Sequence, residues 1–440
     1  SEGTEPKNRI FVRDLTKPGS PFRPLVDAFD AEYGVSGNDG SVFYVRTNNG
    51  APRARLVAID LESPAAASWK ELIAEPEGRD VLASVSMAGD TFHAVTRAHA
   101  SEQARVYARD GAFVRDVPLP GIGSVGSFAG KRTGNEAFFA FTSFTYPTTI
   151  FRYDLASGGV RVFKRPETAF NPEGYETKQV FFKSKDGTEV PMFITHRKGL
   201  VLDGTNPTYL YGYGGFDISM TPGYSAGNAG WLEMGGVYAV ANIRGGGEYG
   251  RSWHDGGRLE NKQNVFDDFI AAAEYLIDAK YTSSKKLAIG GGSNGGLLVG
   301  AVMTQRPELF AAALPAVGVM DMLRFHKFTI GAAWRSDYGD PDVKEDFDVL
   351  LKYSPLHNIK PGTHYPATMV TTGDHDDRVV PAHSFKFAAA LQAAQAGPDP
   401  VLVRIETSRG HGAGKPIEKV IQEKADQWAF LAEILGIESW

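Results

Sequence analysis

The stretch Leu287-Ala288-Ile289-Gly290-Gly291-Gly292-Ser293-Asn294-Gly295-Gly296-Leu297-Leu298-Val299-Gly300-Ala301-Val302 reads as an apolar strand, a glycine-rich turn and an apolar helix. A serine on such a turn has its hydroxyl pushed clear of the backbone, and the tightness of the turn crowds the positions two before and two after it. Glycines stand at both of them, Gly291 and Gly295. The backbone N–H of Asn294 then opens the helix, where it has no acceptor within the helix and can face a developing oxyanion. Gly290, Gly292 and Gly295 also satisfy G-x-G-x-x-G, the turn of a dinucleotide site. That reading requires an acidic residue about 20 positions later, and the chain offers Pro315 in an apolar stretch.

A nucleophilic serine of this kind calls for an acid and then a histidine, each after a later strand. The β-branched run Ala367-Thr368-Met369-Val370-Thr371-Thr372 leads into Gly373-Asp374-His375-Asp376-Asp377-Arg378, and Val401-Leu402-Val403-Arg404-Ile405-Glu406-Thr407 leads into Arg409-Gly410-His411-Gly412-Ala413-Gly414. The order Ser, Asp, His is therefore met by Ser293, one of Asp374, Asp376 and Asp377, and His411. The residues alone leave the choice among the three aspartates open. This order on alternating strands and helices implies an α/β-hydrolase fold: a mostly parallel, doubly wound sheet.

Composition narrows the function classes. Lys plus Arg number 46 against 52 Asp plus Glu, for a formal net charge of -6, so no basic field exists to hold nucleic acid. No apolar run reaches the roughly 18 residues of a membrane span. The absence of cysteine removes disulfides, thiolate metal sites and cysteine catalysis, and no metal-ligand spacing is evident, since His375, Asp376 and Asp377 are adjacent. Gly245, Gly247 and Gly250 repeat the G-x-G-x-x-G spacing, but the polar run Arg251-Ser252-Trp253-His254-Asp255-Gly256-Gly257 reads as loop, which disfavours a nucleotide site. No cofactor is expected.

The first third has another texture. Strand-like units recur at Arg9–Leu15, Arg55–Leu61, Arg105–Asp110 and Ile150–Leu155. Comparing Ile10, Leu56, Val106 and Ile150 gives steps of 46, 50 and 44 residues. A second set, Ser41–Val45, Thr91–Val95 and Ala137–Phe141, keeps the same pace. Short strands at this period without helical pattern mark β-propeller blades, three to four of them where a closed ring takes at least four. A partial propeller over 1–170 and a hydrolase domain over 171–440 are expected, and the start at Ser1 suggests that an N-terminal portion precedes this sequence. Within the second domain, Val180–Phe182 and Pro191–Thr195 read as an opening strand pair around Asp186-Gly187. Thr208–Gly212 and Val237–Asn242 read as central strands, and Asp267–Leu276 as an amphipathic helix whose acidic first turn suits the helix dipole.

From about Tyr175 onward the chain resembles the peptidase domain of the prolyl oligopeptidase family. The resemblance rests on Tyr211-Gly212-Tyr213-Gly214-Gly215-Phe216, Asn242–Gly250, Gly291–Gly296, Val317–Met322, Tyr353–Asn358, Asp374–Pro381 and Gly410–Pro416. It implies Asp376 as the acid of a Ser293, Asp376, His411 triad, and Tyr213 as a second oxyanion donor beside Asn294. It also implies a proline slot floored by Trp334 and lined by Phe216, Val319, Tyr338 and Val379, with Arg378 holding the carbonyl before the proline. A flat apolar slot suits a ring that carries no N–H. The implied activity is that of a serine endopeptidase cutting short peptides after proline, with the propeller keeping folded proteins from the site. The alternatives are a catalytically silent interaction protein and a related oligopeptidase or peptide-cyclising enzyme. The expected partners are proline-containing peptides, with neither nucleic acid nor membrane. A monomer is expected, in the cytoplasm, with periplasm or secretion left open.

Overall fold

A computed structural model describes residues 2–412 and 414–438. The chain divides into two compact units. One comprises residues 1–169 with the short stretches 221–224 and 247–252; the other comprises 170–220, 225–246 and 253–440.

The first unit is a run of small antiparallel sheets. A two-stranded hairpin, Ile10–Val12 with Arg23–Val26, is followed by two four-stranded sheets spanning residues 33–73 and 81–117. A third sheet spans 124–164, with Ala129–Gly130 as a short extra strand on Glu136–Thr142. The repeat seen in the sequence has a structural meaning. Arg55–Asp60, Ser101–Ala108 and Thr149–Asp154 each pair with the strand before and the strand after them in their own sheet, so the repeated unit is the penultimate strand of a blade. The first repeat, Ile10–Val12, belongs to the hairpin instead of a four-stranded sheet.

Alternation along these strands turns one set of side chains toward the next blade. Leu25 and Val26 of the hairpin join Tyr33, Val45, Val57 and Ile59 in one core cluster. Tyr44, Leu56 and Ile73 join Leu82, Phe92 and Ala94 in the next, and Val95, Val106 and Val117 join Phe139, Phe151 and Tyr153 in a third. Each cluster is thus shared by two successive sheets, as expected of propeller blades.

The second unit is built on eight strands: β1 (Tyr175–Lys183), β2 (Glu189–Arg197), β3 (Thr208–Tyr211), β4 (Val237–Ala241), β5 (Leu287–Gly292), β6 (Ala312–Ala316), β7 (Ala367–Gly373) and β8 (Val401–Glu406). Their order in the sheet is β1-β2-β4-β3-β5-β6-β7-β8. β1 and β2 are antiparallel to their neighbours, and β3 through β8 are parallel. The central strands Val237–Ala241 and Leu287–Gly292 are buried almost throughout, as strands covered on both faces must be. This is the α/β-hydrolase arrangement.

Helices α1 (Ala226–Glu233) and α6 (Ile417–Leu435) meet on one face through Trp231 and Trp428, whose ring centroids lie 5.2 Å apart, both against Tyr209 of β3. Helices α2 (Gln263–Asp278), α3 (Asn294–Gln305), α4 (Lys344–Tyr353) and α5 (Ala382–Ala394) also belong to the unit, with a short helix at Arg335–Tyr338.

Two local expectations change. The helix expected from Asp267 begins at Gln263, so Asp267 and Asp268 fall in its second turn and the first turn holds no acid. Asp268 serves the fold instead: it is fully buried and takes the Arg244 guanidinium at 2.6 Å (Nη2) and 3.0 Å (Nε). The polar run after Gly250 contains a five-residue helix, Arg251–Asp255. Its Trp253 and His254 are buried, and the Trp253 indole donates to the Ile243 carbonyl at 3.1 Å, so two interior side chains fold a stretch that composition marks as loop.

Candidate active site

Parallel strands deliver their carboxyl ends to one edge of the sheet, and ligands in such folds bind outside that edge. Tyr213 follows β3, Ser293 follows β5, Val319 follows β6, Asp376 to Val379 follow β7 and His411 follows β8.

Ser293 holds φ 60° and ψ -118°, a region that costs an L-residue about 1–3 kcal/mol. The surroundings dictate it. The Ser293 amide donates to the Ala316 carbonyl at 2.9 Å, and its own carbonyl accepts from Gly296 and Leu297. A Cβ on Gly291 would meet the Gly295 carbonyl oxygen at 2.4 Å, and one on Gly295 would meet the Gly212 carbonyl oxygen at 2.7 Å. Both glycines are therefore required by contact. Asn294 is the first residue of α3, and its N–H has no acceptor within the helix.

Asp376 is buried, and both of its oxygens are engaged. Oδ1 accepts from the backbone N–H groups of Arg378 at 3.0 Å and Val379 at 2.9 Å, while Oδ2 meets Nδ1 of His411 at 2.7 Å. Asp374 is occupied elsewhere, with His375 at 2.7 Å and the Arg409 amide at 3.2 Å, and Asp377 is exposed. Of the three aspartates, Asp376 is the one that meets His411. Among the described residues no hydrogen bond joins His411 to Ser293. Burial pushes the Tyr213 phenol up to about 12, and the Ser293 side chain lies near enough to oppose that shift. That phenol is a neutral donor at any physiological pH. The His411 loop is anchored beside this point: Glu423 of α6 accepts from Arg409 at 2.5 Å and from Lys415, one on each side of His411. Ala413 lies outside the described residues.

Three of the aromatics expected to line a slot, Trp334, Tyr338 and Phe216, stand together. The Trp334 ring lies nearly parallel to Phe325, with centroids 6.3 Å apart, and edge-on to Tyr338 at 6.5 Å; Phe216 meets Tyr338 edge-on at 5.4 Å. Val319, Val379, Trp334 and Tyr338 are buried, and Phe216 is partly so, with φ 57°. Arg378 is exposed, forms no ion pair among the described residues, and lies near enough to favour the ionised form of the Tyr213 phenol.

Asp337, an acid close to this slot in sequence, is buried and turned away, accepting from the Phe216 amide at 3.2 Å and meeting His254 Nε2 at 2.8 Å. Sequence reading missed this interior set, which also includes Lys262; its signal was a run of polar letters indistinguishable from surface. It also missed a grouping of His326, Asp340 and Asp342, whose ligand atoms lie within 4.8 Å of one another. Arg335 stands 3.0 Å from Asp340 and Lys327 stands 3.7 Å from Asp342, so these carboxylates already have cationic partners.

The model of the prolyl oligopeptidase family matches residues 222–438, and that of its N-terminal β-propeller domain matches residues 1–166. A prolyl endopeptidase of Elizabethkingia meningoseptica is 49% identical over 433 residues, which cover 98% of this chain and 61% of the relative. A prolyl endopeptidase of Dictyostelium discoideum is 44% identical over 94% of this chain and 56% of the relative. The chain therefore spans about six-tenths of the length of the curated relatives it matches. Among solved structures, one from a structural and mechanistic study of two prolyl endopeptidases superposes with a TM-score of 0.94 at 46% identity, over 98% of this chain and 63% of that one. Prolyl oligopeptidase B from Galerina marginata, bound to a 35mer hydrolysis and macrocyclization substrate, gives a TM-score of 0.93 at 39% identity, over 99% of this chain and 62% of that one. By sequence, by the two domain models and by fold, this chain belongs to the prolyl oligopeptidase family of serine peptidases.

Proposed function

We propose that this chain carries the catalytic machinery of a serine endopeptidase that cuts short peptides on the carboxyl side of proline. The observation that carries the reading is the Asp376 carboxylate, buried, fixed by two backbone amides and aimed at His411 Nδ1, on the same sheet edge as the strained elbow of Ser293.

In this reading His411 Nε2 takes the Ser293 hydroxyl proton as the oxygen attacks the carbonyl after proline. Asp376 fixes the tautomer and stabilises the imidazolium. Glycines at 410, 412 and 414 let the His411 loop close the remaining distance to Ser293, a hydrogen bond that commonly tightens only once substrate is bound. The oxyanion is received by the Asn294 N–H and the Tyr213 phenol, the latter near the Ser293 side chain; one such donor is worth about 10²–10³ in rate. His411 then protonates the leaving amine, and water resolves the acyl-enzyme by the reverse path. Trp334, Phe216, Val319, Tyr338 and Val379 form the proline slot, and Arg378, exposed and without an ion pair among the described residues, holds the preceding carbonyl. Hydrolysis is favoured over ring closure because both curated relatives named above are prolyl endopeptidases; an amine in place of water would give the cyclic product from the same acyl-enzyme.

Substitution of the nucleophile provides the test. Ser293→Ala should abolish cleavage of a blocked Gly-Pro amide while circular dichroism and melting temperature stay those of the parent chain. Turnover by a folded Ser293→Ala variant at the parent rate would end this reading.

A further inference from the structure

Lys262 stands just before α2 in the polar run Glu260-Asn261-Lys262-Gln263, where a lysine normally reaches solvent. It is instead 0% exposed, and a buried ammonium is costly unless its donors are paired. Its Nζ donates to the Gly214 carbonyl at 2.8 Å and to Asn294 Oδ1 at 3.2 Å. It also stands 5.3 Å from the centroid of the Tyr338 ring and 4.0 Å from Asp337 Oδ1.

These partners have a pattern. Gly214 follows Tyr213, and Asn294 follows Ser293. The Asn294 side chain closes the circuit, because its Nδ2 donates to the Tyr213 carbonyl at 2.6 Å while its Oδ1 also accepts from the Tyr338 hydroxyl at 2.9 Å. Gly214 sits at φ +67°, where a Cβ would meet Val265 Cγ1 at 2.4 Å, so its loop already lies hard against α2. One ammonium thus ties together the two segments that bear the Tyr213 phenol and the Asn294 amide.

We infer that Lys262 is a positioning residue for the oxyanion site, clasping the Tyr213-Gly214 loop to the Ser293-Asn294 elbow so that the two donors stay aimed at one point. The inference rests on the reading above that these two groups receive the oxyanion. Donors stabilise a transition state only when they are already in place, and misplacement by about 1 Å can cost 100-fold. The groups facing Lys262 are Asp337 and the Tyr338 phenol, with His254 and the Phe216 amide on the far side of Asp337. Burial lowers the lysine to about 8, with Asp337 opposing that shift. A neutral amine would keep donors but lose the charge assistance, which roughly doubles a hydrogen bond.

The experiment compares the parent chain with Lys262→Met and Lys262→Gln. Reactive sites are counted by stoichiometric labelling with a fluorophosphonate. Rate per labelled site and KM are measured on a blocked Gly-Pro amide. Affinity is measured for a peptide aldehyde ending in prolinal, whose hemiacetal on Ser293 places an oxyanion between the two donors. Lys262→Met should lower kcat per labelled site about 10- to 100-fold with KM changed less than about threefold, and should weaken the aldehyde by the same factor, with Lys262→Gln in between. A merely structural role would reduce the labelled fraction and the Tm while leaving the rate per site unchanged.

A folded variant whose kcat per site and aldehyde affinity both stay within about twofold of the parent overturns the inference. Should neither variant fold, the parent chain decides: its aldehyde affinity should weaken as pH rises through about 8, and a flat profile from pH 7 to 10 overturns the clasp. Failure of the serine-peptidase reading looks different. There the parent chain itself would not label, or Ser293→Ala would still cleave, and the inference would fall with it.

Discussion

At the scale of single residues, what a sequence reveals depends on whether chemistry or position selects the side chain. Ser293 was legible because its conformation forces glycine at 291 and 295, and both contacts are present. The choice among Asp374, Asp376 and Asp377 was not legible from the residues alone, since they are equivalent as letters; only the family resemblance pointed to Asp376, the one that meets His411. What separates them is a loop that wraps the Arg378 and Val379 amides onto one oxygen of Asp376 and leaves the other for His411. Lys262 was invisible for the opposite reason, a charge in a polar run whose burial comes wholly from tertiary packing. Trp334 allows a test of the slot at this scale. It is buried beside Phe325 and Tyr338, and in the proposed slot a proline ring would meet its face while an alanine methyl would meet little of it. Trp334→Ala should lower kcat/KM for a peptide with proline at the cleaved position about tenfold more than for its alanine counterpart. Equal losses for the two substrates would mean that the ring slot lies elsewhere.

At the scale of elements, the loop bearing His411 is held at its shoulders. Burial works against the charged form of Glu423, yet Lys415 and Arg409 hold its carboxyl below the usual range. Arg404 of β8 adds a third cation at 3.8 Å. The Glu423 and Lys415 side chains are largely shielded from solvent, so their pairing is screened less than a surface bridge. Between the shoulders, Gly410, Gly412 and Gly414 supply no side-chain packing of their own. Glu423→Gln should therefore raise hydrogen-exchange rates in 409–416 and lower kcat several-fold, with KM changed less. Unaltered exchange there would show that the loop is held by other contacts. The sequence displayed this loop as a glycine-flanked histidine and nothing more, because its anchor lies on a helix that follows it in the chain.

At the scale of the whole molecule, the change of texture near residue 170 was readable because the two units follow different periods: short strands every 44 to 50 residues before it, and strands alternating with helices after it. The expected repeat marked the blades without showing which strand of each blade it was, since pairing partners leave no mark on a single strand. Global stability should carry the imprint of Lys262. Its folded pKa of about 8 lies below the 10.5 of a free lysine, so between these values the unfolded chain holds more protons and the contribution to stability grows as pH rises through that window. Urea unfolding at pH 7.5 and 9.5 should show the parent chain gaining on Lys262→Met at the higher pH. A constant difference would mean that the lysine titrates alike in both states.

The shared clusters between neighbouring sheets of the first unit have a thermodynamic corollary. A stack in which every interior layer is glued on two sides and a terminal layer on one behaves as a short one-dimensional chain, whose melting starts at the layer with fewest bonds. Of the sheets described, those spanning residues 33–73 and 81–117 each share a cluster with the sheet before and the sheet after, while the hairpin shares one, anchored by Leu25 and Val26. Amide protection should accordingly be deeper in Val42–Thr47 and Thr91–Ala98 than in Ile10–Val12. Uniform protection across all the sheets would mean that the blades melt as one body.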